Sequence, residues 1–330
     1  MKVMVTGATG FIGEHYVKHL RLKQVEVFAC CRNAAQSEPL RKLGVHIFCG
    51  DLLDEPFVTH ICKQMDVVVH CAGKSGLWGE YQPYYNANVV ATENLIRACQ
   101  ASGVSRFINI SSPSIYFDLK DHLNIRENFL PKRFIDNYAR TKYQAETRVT
   151  AAHSDQLGTV SLRPRMVVGP GDKHIFPRMI ALHQAGKLKR VGHGRNLVSI
   201  TSIENMMLAL DLCVFGSESV LGKVYNIANA EPVLLWEFVD EVMTKVNLPP
   251  VKLSIPYGVA FGAGWVNERV FCLLNKTDEP SLMRIKVALM ARSMTLNIDN
   301  ARRNLGYHPQ SNVSSTVEAF ADWWHAYNAD

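Results

Sequence analysis

MKVMVTGATGFIG, residues 1–13, decides how the rest of the chain is read. Val3 to Val5 has the apolar content of a buried strand. Gly7, Gly10 and Gly13 follow at once, and Phe11 and Ile12 open an amphipathic stretch. The order is strand, glycine turn, helix. Glycine lets the backbone turn tightly, lets a pyrophosphate approach the main chain, and lets the helix pack close to the strand. The helix N-terminus offers unpaired N–H groups and a partial positive charge to an anion. A Gly-rich turn alone is a weak signal, but here strand and helix stand in the required places. The spacing is Gly-x-x-Gly-x-x-Gly, not Gly-x-Gly-x-x-Gly.

Outward from this turn, strand and helix patterns alternate. Val25 to Cys31, Val45 to Phe48 and Asp66 to His70 read as strands two to four, the last nearly continuous in apolar content. A long helix is predicted between Pro83 and Ser102, a fifth strand at Arg106 to Ile110, a helix at Asp136 to Ala152, and a sixth strand at Thr159 to Leu162. Such alternation predicts an α/β fold, a doubly wound parallel sheet with ligands at the carboxyl ends of its strands. After residue 163 the pattern is less regular. Val167 to Asp172 reads as a loop and Val224 to Ile227 as one more strand.

With 330 residues, 47% of them apolar, the chain can bury a large core in one or two domains. The net charge of +6 comes without a Lys/Arg run, so no nucleic-acid partner is expected. With a strand under way at Val3, no secretory leader is expected. Eight cysteines argue for a reducing compartment, and a cytoplasmic location is expected. Cys30, Cys31, Cys49 and Cys71 fall in or beside predicted buried strands, and none of the eight forms a Cys-x-x-Cys pair. Cys30 and Cys31 are strand neighbours facing opposite sides, hence poor joint ligands, and no metal is assigned.

INISSPSIY places Ser111 and Ser112 just past the fifth strand, and NYARTK sets Tyr138 and Lys142 four residues apart. On a helix those two share one face, about 5–6 Å apart. A tyrosine titrates near pH ~10 and is a poor proton donor or base at neutral pH. A neighbouring ammonium favours the phenolate and is expected to lower that pKa. Ser112 can hydrogen-bond the substrate oxygen that Tyr138 protonates, with Ser111 as the alternative. Tyr143 has no lysine four residues on.

The second strand ends at Cys31 followed by Arg32. An NAD site usually has Asp or Glu there, accepting from the ribose hydroxyls. Here no carboxylate repels a 2′-phosphate, and Arg32 can hold one in a charge-assisted pair. NADP(H) is therefore the expected cofactor, with NAD(H) second. A surface arginine at a strand end is the plainer alternative.

TGATGFIG resembles the extended branch of the short-chain dehydrogenase/reductase superfamily. HCAGKSGLWGEY, SSPSIYFD, YARTKYQAE, LRPRMVVGPGD and NIDNARRNLGYHP resemble the 3β-hydroxysteroid dehydrogenase/isomerase-like family over nearly the whole chain. KSGLWG and SSPSIYFD look most like bacterial members that reduce 2-alkyl-3-ketoalkanoates. The resemblance implies an NAD(P)-dependent oxidoreductase interconverting a ketone and a secondary alcohol, with Ser112, Tyr138 and Lys142 catalytic. Ser112 rather than Ser111 matches when Tyr116 marks the register. It implies cofactor contacts at Gly7, Gly10, Phe11, Ile12, Gly13 and Arg32, and at Asp51 and Leu52 near the adenine. Ala72, Gly73 and Lys74 belong near the pyrophosphate and ribose, and Asn88 on the nicotinamide side. Pro164, Tyr138 and Lys142 complete the set. Asp51 has the alternative role of N-cap for the next helix. A Rossmann domain over residues 1–163 and a mainly substrate-binding region over 164–330, interleaved with the sheet, are likewise implied. TSIEN at 201–205 departs from the family's usual Asp or His before the Asn, on the substrate side.

Ile255 to Leu274 holds Tyr257, Phe261, Trp265 and Phe271, but also Glu268 and Arg269, and falls short of the ~20 apolar residues of a membrane span. A buried or substrate-capping helix is expected, with peripheral membrane contact as the alternative. Together with Trp78 it predicts a small hydrophobic substrate, and a homodimer is the expected assembly. Two other functions stay open: a nucleotide-sugar epimerase or dehydratase, and a non-catalytic dinucleotide sensor. Pro113 and Ser114 supply no carboxylate pair for a dehydratase, and a sensor needs no proton donor.

Overall fold

Strand β1 (Lys2–Thr6) is inaccessible to solvent from Val3 onward and lies between two parallel neighbours. These are β2 (Glu26–Cys31) and β4 (Val67–His70), with β3 (His46–Cys49) beyond β2. On the other side follow β5 (Arg106–Ile110), β6 (Gly158–Pro164) and β7 (Lys223–Ile227). The seven strands run in the order β3-β2-β1-β4-β5-β6-β7, every pair parallel. The order reverses at β1, so the chain after β1 and the chain after β4 lead to helices on opposite faces of the sheet and leave a crevice at the strand ends. The structure is a computed structural model and describes residues 1–274, 276 and 278–328.

Period-two alternation sorts the strand side chains into two layers. Val3, Val5, Val27, Val67, Val69, Ile108, Val160 and Leu162 meet helix α1 (Phe11–Leu22) and the helix Ile203–Phe215. Met4, Val68 and Phe107 face the opposite layer, where Glu55–Cys62 and Ala91–Ser102 pack. Helix α2 (Asn137–Ala151) is capped by Asp136, whose Oδ1 accepts from the Ala139 N–H at 2.6 Å. A second, small sheet joins Val233–Leu234, Leu197–Val198, Met294–Leu296 and His122–Ile125. Beside it lies an apolar core around Phe176, Trp236, Phe238 and Phe320.

Three elements differ from the sequence reading. The predicted helix at 83–102 begins at Tyr81 and carries a π-helical turn over Asn86–Val90. Val167–Val168, read as loop, pairs in parallel with Thr201–Ser202. The 255–274 segment is a helix, α3 (Tyr257–Leu273), but it is not buried. Only Ala260, Gly264 and Glu268 are inaccessible, while Val259, Trp265, Val266, Val270 and Leu273 are exposed. Its one packed side meets Arg284–Ala291 closely, since a Cβ on Gly264 would lie 2.9 Å from the Arg284 nitrogen. Among the described residues no helix is long and apolar enough to cross a membrane.

Candidate active site

The glycine turn is shaped by close backbone approach. Gly7 has φ +63°, and a Cβ there would fall 2.6 Å from the Ala72 nitrogen. The loops after β1 and β4 therefore cross at contact distance. A Cβ on Gly13 would fall 2.3 Å from the Gly7 carbonyl oxygen, so α1 sits directly on the turn. Gly10 is the N-cap of α1 and no side chain caps the helix. The N–H groups of Phe11, Ile12 and Gly13 thus present a donor set to an anion, and a dinucleotide pyrophosphate fits this cradle.

Arg32 is exposed at the end of β2. Beside it, Cys31 Sγ lies 3.5 Å from Cys49 Sγ across β2 and β3. Cys49, expected among buried strands, is exposed because β3 is the sheet edge. Asp51 is not a helix cap: its Oδ1 accepts from the Leu53 N–H at 3.0 Å, and Asp54 caps the following helix through the Phe57 N–H. Asp51 is exposed beside the strand ends, while Leu52 is buried, its carbonyl held by Asn94.

After β4, Ala72, Gly73 and Lys74 pass beside the π-turn. Asn88 Oδ1 accepts from the Lys74 N–H at 2.7 Å, and its Nδ2 donates to the Lys74 carbonyl and to Thr141 Oγ1, both at 3.0 Å. Asn88 therefore ties this loop to α2 one residue before Lys142. A Cβ on Gly73 would lie 3.0 Å from Asn88 Oδ1 and 4.0 Å from Lys142 Nζ. His70 supports the same region from below. Its Nδ1 pairs with Thr6 Oγ1 at 2.8 Å and its Nε2 with Thr92 Oγ1 at 3.0 Å. Burial, and then the Lys142 charge, push its pKa down to about 3, so the imidazole is neutral.

Ser112, Tyr138 and Lys142 come together beyond β5. Ser112 accepts from the Ser114 N–H at 3.2 Å and donates to Ser114 Oγ at 3.0 Å, opening a short 3₁₀ turn, Pro113–Tyr116. The Ser111 hydroxyl is buried without a partner and is not the one facing Tyr138. Burial raises the Tyr138 pKa, hydrogen bonding to Ser112 opposes it, and the Asp136 charge adds to the rise. The expected lowering by Lys142 is thus reversed. Lys142 Nζ is instead turned to the Ile110 carbonyl at 2.5 Å. Burial pushes the ammonium down to about 8, with Glu146 and Cys71 pulling it back up.

Residues that no sequence motif singled out hold this group. Arg163 on β6 pairs with Glu146 on α2, and it also donates to the Tyr116 hydroxyl and the Glu127 carbonyl. Tyr116 in turn donates to Asn226 Oδ1 on β7 at 2.8 Å. Pro164 closes β6, level with Ile227. The next residue, Arg165, has a buried Nε without a hydrogen-bond partner.

Leu77, Trp78, Tyr143 and Tyr257 pack on one apolar cluster with Ile115, Tyr116, Phe117 and Met283. Of the expected aromatic set in α3, only Tyr257 joins Trp78 there. Phe261 packs against the core around Trp236, and Trp265 points outward with the Arg269 guanidinium over its ring. TSIEN ties neighbouring segments together. Asn205 donates to Asn229 Oδ1 and the Ser311 carbonyl, while Thr201 Oγ1 donates to the carbonyls of Arg165 and Ile227. A surface cavity of about 670 Å³ near Glu231, Glu237 and Glu241 is lined by none of the three catalytic candidates, and its acidic edge does not suit an anion. Among the described residues no cluster of His, Cys, Asp and Glu is disposed to hold a metal.

Residues 4–256 match the 3-beta hydroxysteroid dehydrogenase/isomerase family. A 2-alkyl-3-oxoalkanoate reductase of Stenotrophomonas maltophilia (strain K279a) is 35% identical over 319 residues, 95% of this chain and 96% of that one. A decarboxylating sterol-4-alpha-carboxylate 3-dehydrogenase of Mus musculus is 28% identical, covering 100% of this chain and 92% of that one. Among solved structures, the UDP-glucuronic acid 4-epimerase of Bacillus cereus, in complex with UDP-glucuronic acid and NAD, superposes with a TM-score of 0.78 at 22% identity. The match covers 99% of this chain and 100% of that one.

Proposed function

This chain belongs to the 3-beta hydroxysteroid dehydrogenase/isomerase family, an oxidoreductase of the extended short-chain dehydrogenase/reductase class, and we propose that it reduces a hydrophobic 3-oxo acid with NADPH. The observation that carries this reading is the convergence of Ser112, Tyr138 and Lys142 at the carboxyl end of β5, beside an uncapped glycine turn. A nicotinamide dinucleotide, when bound, supplies the hydride. The chain's own groups do the rest. Tyr138 gives its hydroxyl proton to the substrate oxygen, and Ser112 donates a hydrogen bond to that oxygen and fixes its position. The Lys142 ammonium, buried beside Gly73 and Asn88, is placed to hold the cofactor ribose. Arg32 at the end of β2 supports NADPH over NADH.

The cluster of Leu77, Trp78 and Tyr257 supports an apolar substrate arm. The outer face of α3, with Val259, Val266, Val270 and Leu273, is the surface on which peripheral membrane contact is proposed. The epimerase likeness supports the fold, and no side chain described here favours a nucleotide sugar.

The test is NADPH oxidation across 3-oxo acids of increasing chain length, a steroid ketone and an aldehyde, with UDP-glucose followed separately by the sugar epimer it forms. Each buried methylene contributes ~0.8 kcal/mol, so kcat/KM should rise about fourfold per carbon until the pocket is full. A flat response, or preference for the nucleotide sugar, overturns the substrate class.

A further inference from the structure

Two arginines in LRPR, residues 162–165, stand two apart and meet opposite fates. Arg163 is buried and satisfied by Glu146, Tyr116 and the Glu127 carbonyl. The Arg165 side chain has no hydrogen bond or ion pair among the described residues, and its Nε is shut off from solvent. Arg292 also has an unpartnered Nε, but its Nη1 pairs with Asp121 at 2.9 Å. Nothing but burial acts on the Arg165 pKa, which is pushed down to about 10. The residue is half-buried, so its guanidinium gives up part of its water, at Nε, with no counter-charge, an arrangement that a ligand anion would complete.

The backbone of Arg165 is fixed. Its N–H donates to the Ile227 carbonyl at 3.1 Å, and its carbonyl accepts from Thr201 Oγ1 at 2.8 Å. Met166 follows at φ 47°, a left-handed conformation that an unbranched side chain tolerates and that turns the chain away from the sheet. Its position relative to the reacting groups follows from the sheet. Ile110 is paired with Leu162, and the Ser111 N–H donates to the Leu162 carbonyl at 2.7 Å. Continuing that register sets Pro164 abreast of Ser112 and Arg165 one residue beyond, on a strand about 4.8 Å away. The Arg165 backbone thus lies at the rim of the crevice that holds Ser112 and Tyr138, within the reach of an arginine side chain.

The names of the two curated relatives share one chemical feature. A 3-oxoalkanoate and a sterol 4-carboxylate oxidised at carbon 3 both carry a carboxylate one carbon removed from the reacting carbon. A site for such a substrate needs an anion receptor close to its proton donor. We propose that Arg165 binds the substrate carboxylate through its guanidinium fork, and so selects 3-oxo acids over neutral ketones. This rests on the reductase reading above.

The test uses the full-length protein with NADP(H) and the variants Arg165→Met and Arg165→Lys. A charge-assisted hydrogen bond is worth about 10- to 150-fold in affinity, so Arg165→Met should collapse the acid-to-methyl-ester ratio of kcat/KM by that factor, mainly through KM for the acid. Arg165→Lys keeps the charge without the fork and should recover part of the ratio. Calorimetry with dodecanoate, an inert carboxylate, gives a readout independent of turnover, and its affinity should fall by the same factor while the NADPH Kd stays within twofold. Arg165→Met should also melt no lower than wild type, because it removes an unpaired, half-buried charge. An equal loss for acid and ester, a matching loss of NADPH affinity, or a clearly lower Tm overturns the assignment. If wild type reduces no oxo acid yet binds dodecanoate through Arg165, the reductase reading fails and the carboxylate site stands.

Discussion

Replacing Glu146 with Gln tests the support beneath the catalytic helix. Glu146 and Arg163 have side chains 4% exposed each, and the carboxylate accepts from both Nε and Nη2 of the guanidinium. Glutamine keeps the shape but removes the charge, and can offer only one acceptor oxygen. Breaking a buried pair from one side costs ~3–5 kcal/mol, because the remaining ion is stranded. Arg163 keeps the Tyr116 hydroxyl and the Glu127 carbonyl, so the lower end, about 3 kcal/mol, is expected. At ~2 °C per kcal/mol the melting midpoint should fall by about 6 °C. A second effect reaches the active site. Glu146 holds the Lys142 pKa up, so its loss should move that pKa below about 8. The ammonium is lost as pH rises through its pKa, and the fall in NADPH affinity should then begin at lower pH than in wild type. Urea unfolding at pH ~7 reads the first effect, and a pH series of NADPH binding reads the second. Glu55→Gln is the control, since Glu55 and Arg97 are 67% and 57% exposed and such pairs contribute under ~1 kcal/mol. If Glu146→Gln loses no more than that control, or leaves the pH midpoint in place, the buried pair is not the support described.

Tyr138→Phe should keep cofactor binding and lose about 10²–10⁴-fold in turnover, because only the proton donor is removed; near-normal activity would sink the assignment. In wild type, NADPH affinity should fall as pH rises through about 8, where Lys142 loses its proton, and Lys142→Met should bind weakly at every pH with no step; a flat wild-type profile contradicts this role. Arg32→Ala should weaken NADPH by about 10- to 150-fold and leave NADH nearly unchanged, and a wild type that prefers NADH refutes the reading of the β2 terminus.

The central sheet was legible because its first six strands are short apolar runs and the helices Phe11–Leu22, Ala91–Ser102 and Asn137–Ala151 between them carry a distinct period. The helix Ile203–Phe215 was not, for a definite reason. Met206, Met207, Ala209, Leu210, Cys213 and Val214 are all buried on it, so it is apolar on several sides and shows no clean 3.6 period. Two-residue strands such as Val167–Val168 and Thr201–Ser202 carry no period at all. The apolar α3 reads as buried, yet its packed side is limited to Ala260, Gly264 and Glu268, with Gly264 against the short helix Arg284–Ala291, and Val259, Trp265, Val266, Val270 and Leu273 stay exposed. In the site, Tyr138 and Lys142 follow from spacing along one helix and a serine from one strand end, while Ser112 rather than Ser111 follows from the family resemblance. His70, Glu146 and Arg163 do not, because their partners lie 17 to 64 positions away and only the folded sheet brings them together. LRPR shows the limit most clearly: nothing local distinguishes the arginine that is paired from the one that is free.

The phenol's pKa bears on the direction of the reaction. Spacing alone predicts a Tyr138 lowered by Lys142, the form that serves as a base for alcohol oxidation. The structure has the opposite, because burial and Asp136 outweigh Ser112 while the Lys142 ammonium is committed to the Ile110 carbonyl. A phenol held above its ordinary value keeps its proton at neutral pH. It is then an acid, ready for the oxygen of a ketone, and a poor acceptor for the proton of an alcohol. The same burial that raises Tyr138 lowers Lys142, so the pair is driven toward a neutral phenol beside a weakly held ammonium. Ketone reduction consumes one proton, and each turnover leaves Tyr138 to be recharged. The kcat/KM for reduction should therefore hold across neutral pH, while that for oxidation of the corresponding hydroxy acid should keep rising with pH; the equilibrium between the two is set by the reactants. An oxidation kcat/KM that is already flat with pH near ~7 would show that the raised phenol does not govern the proton transfer.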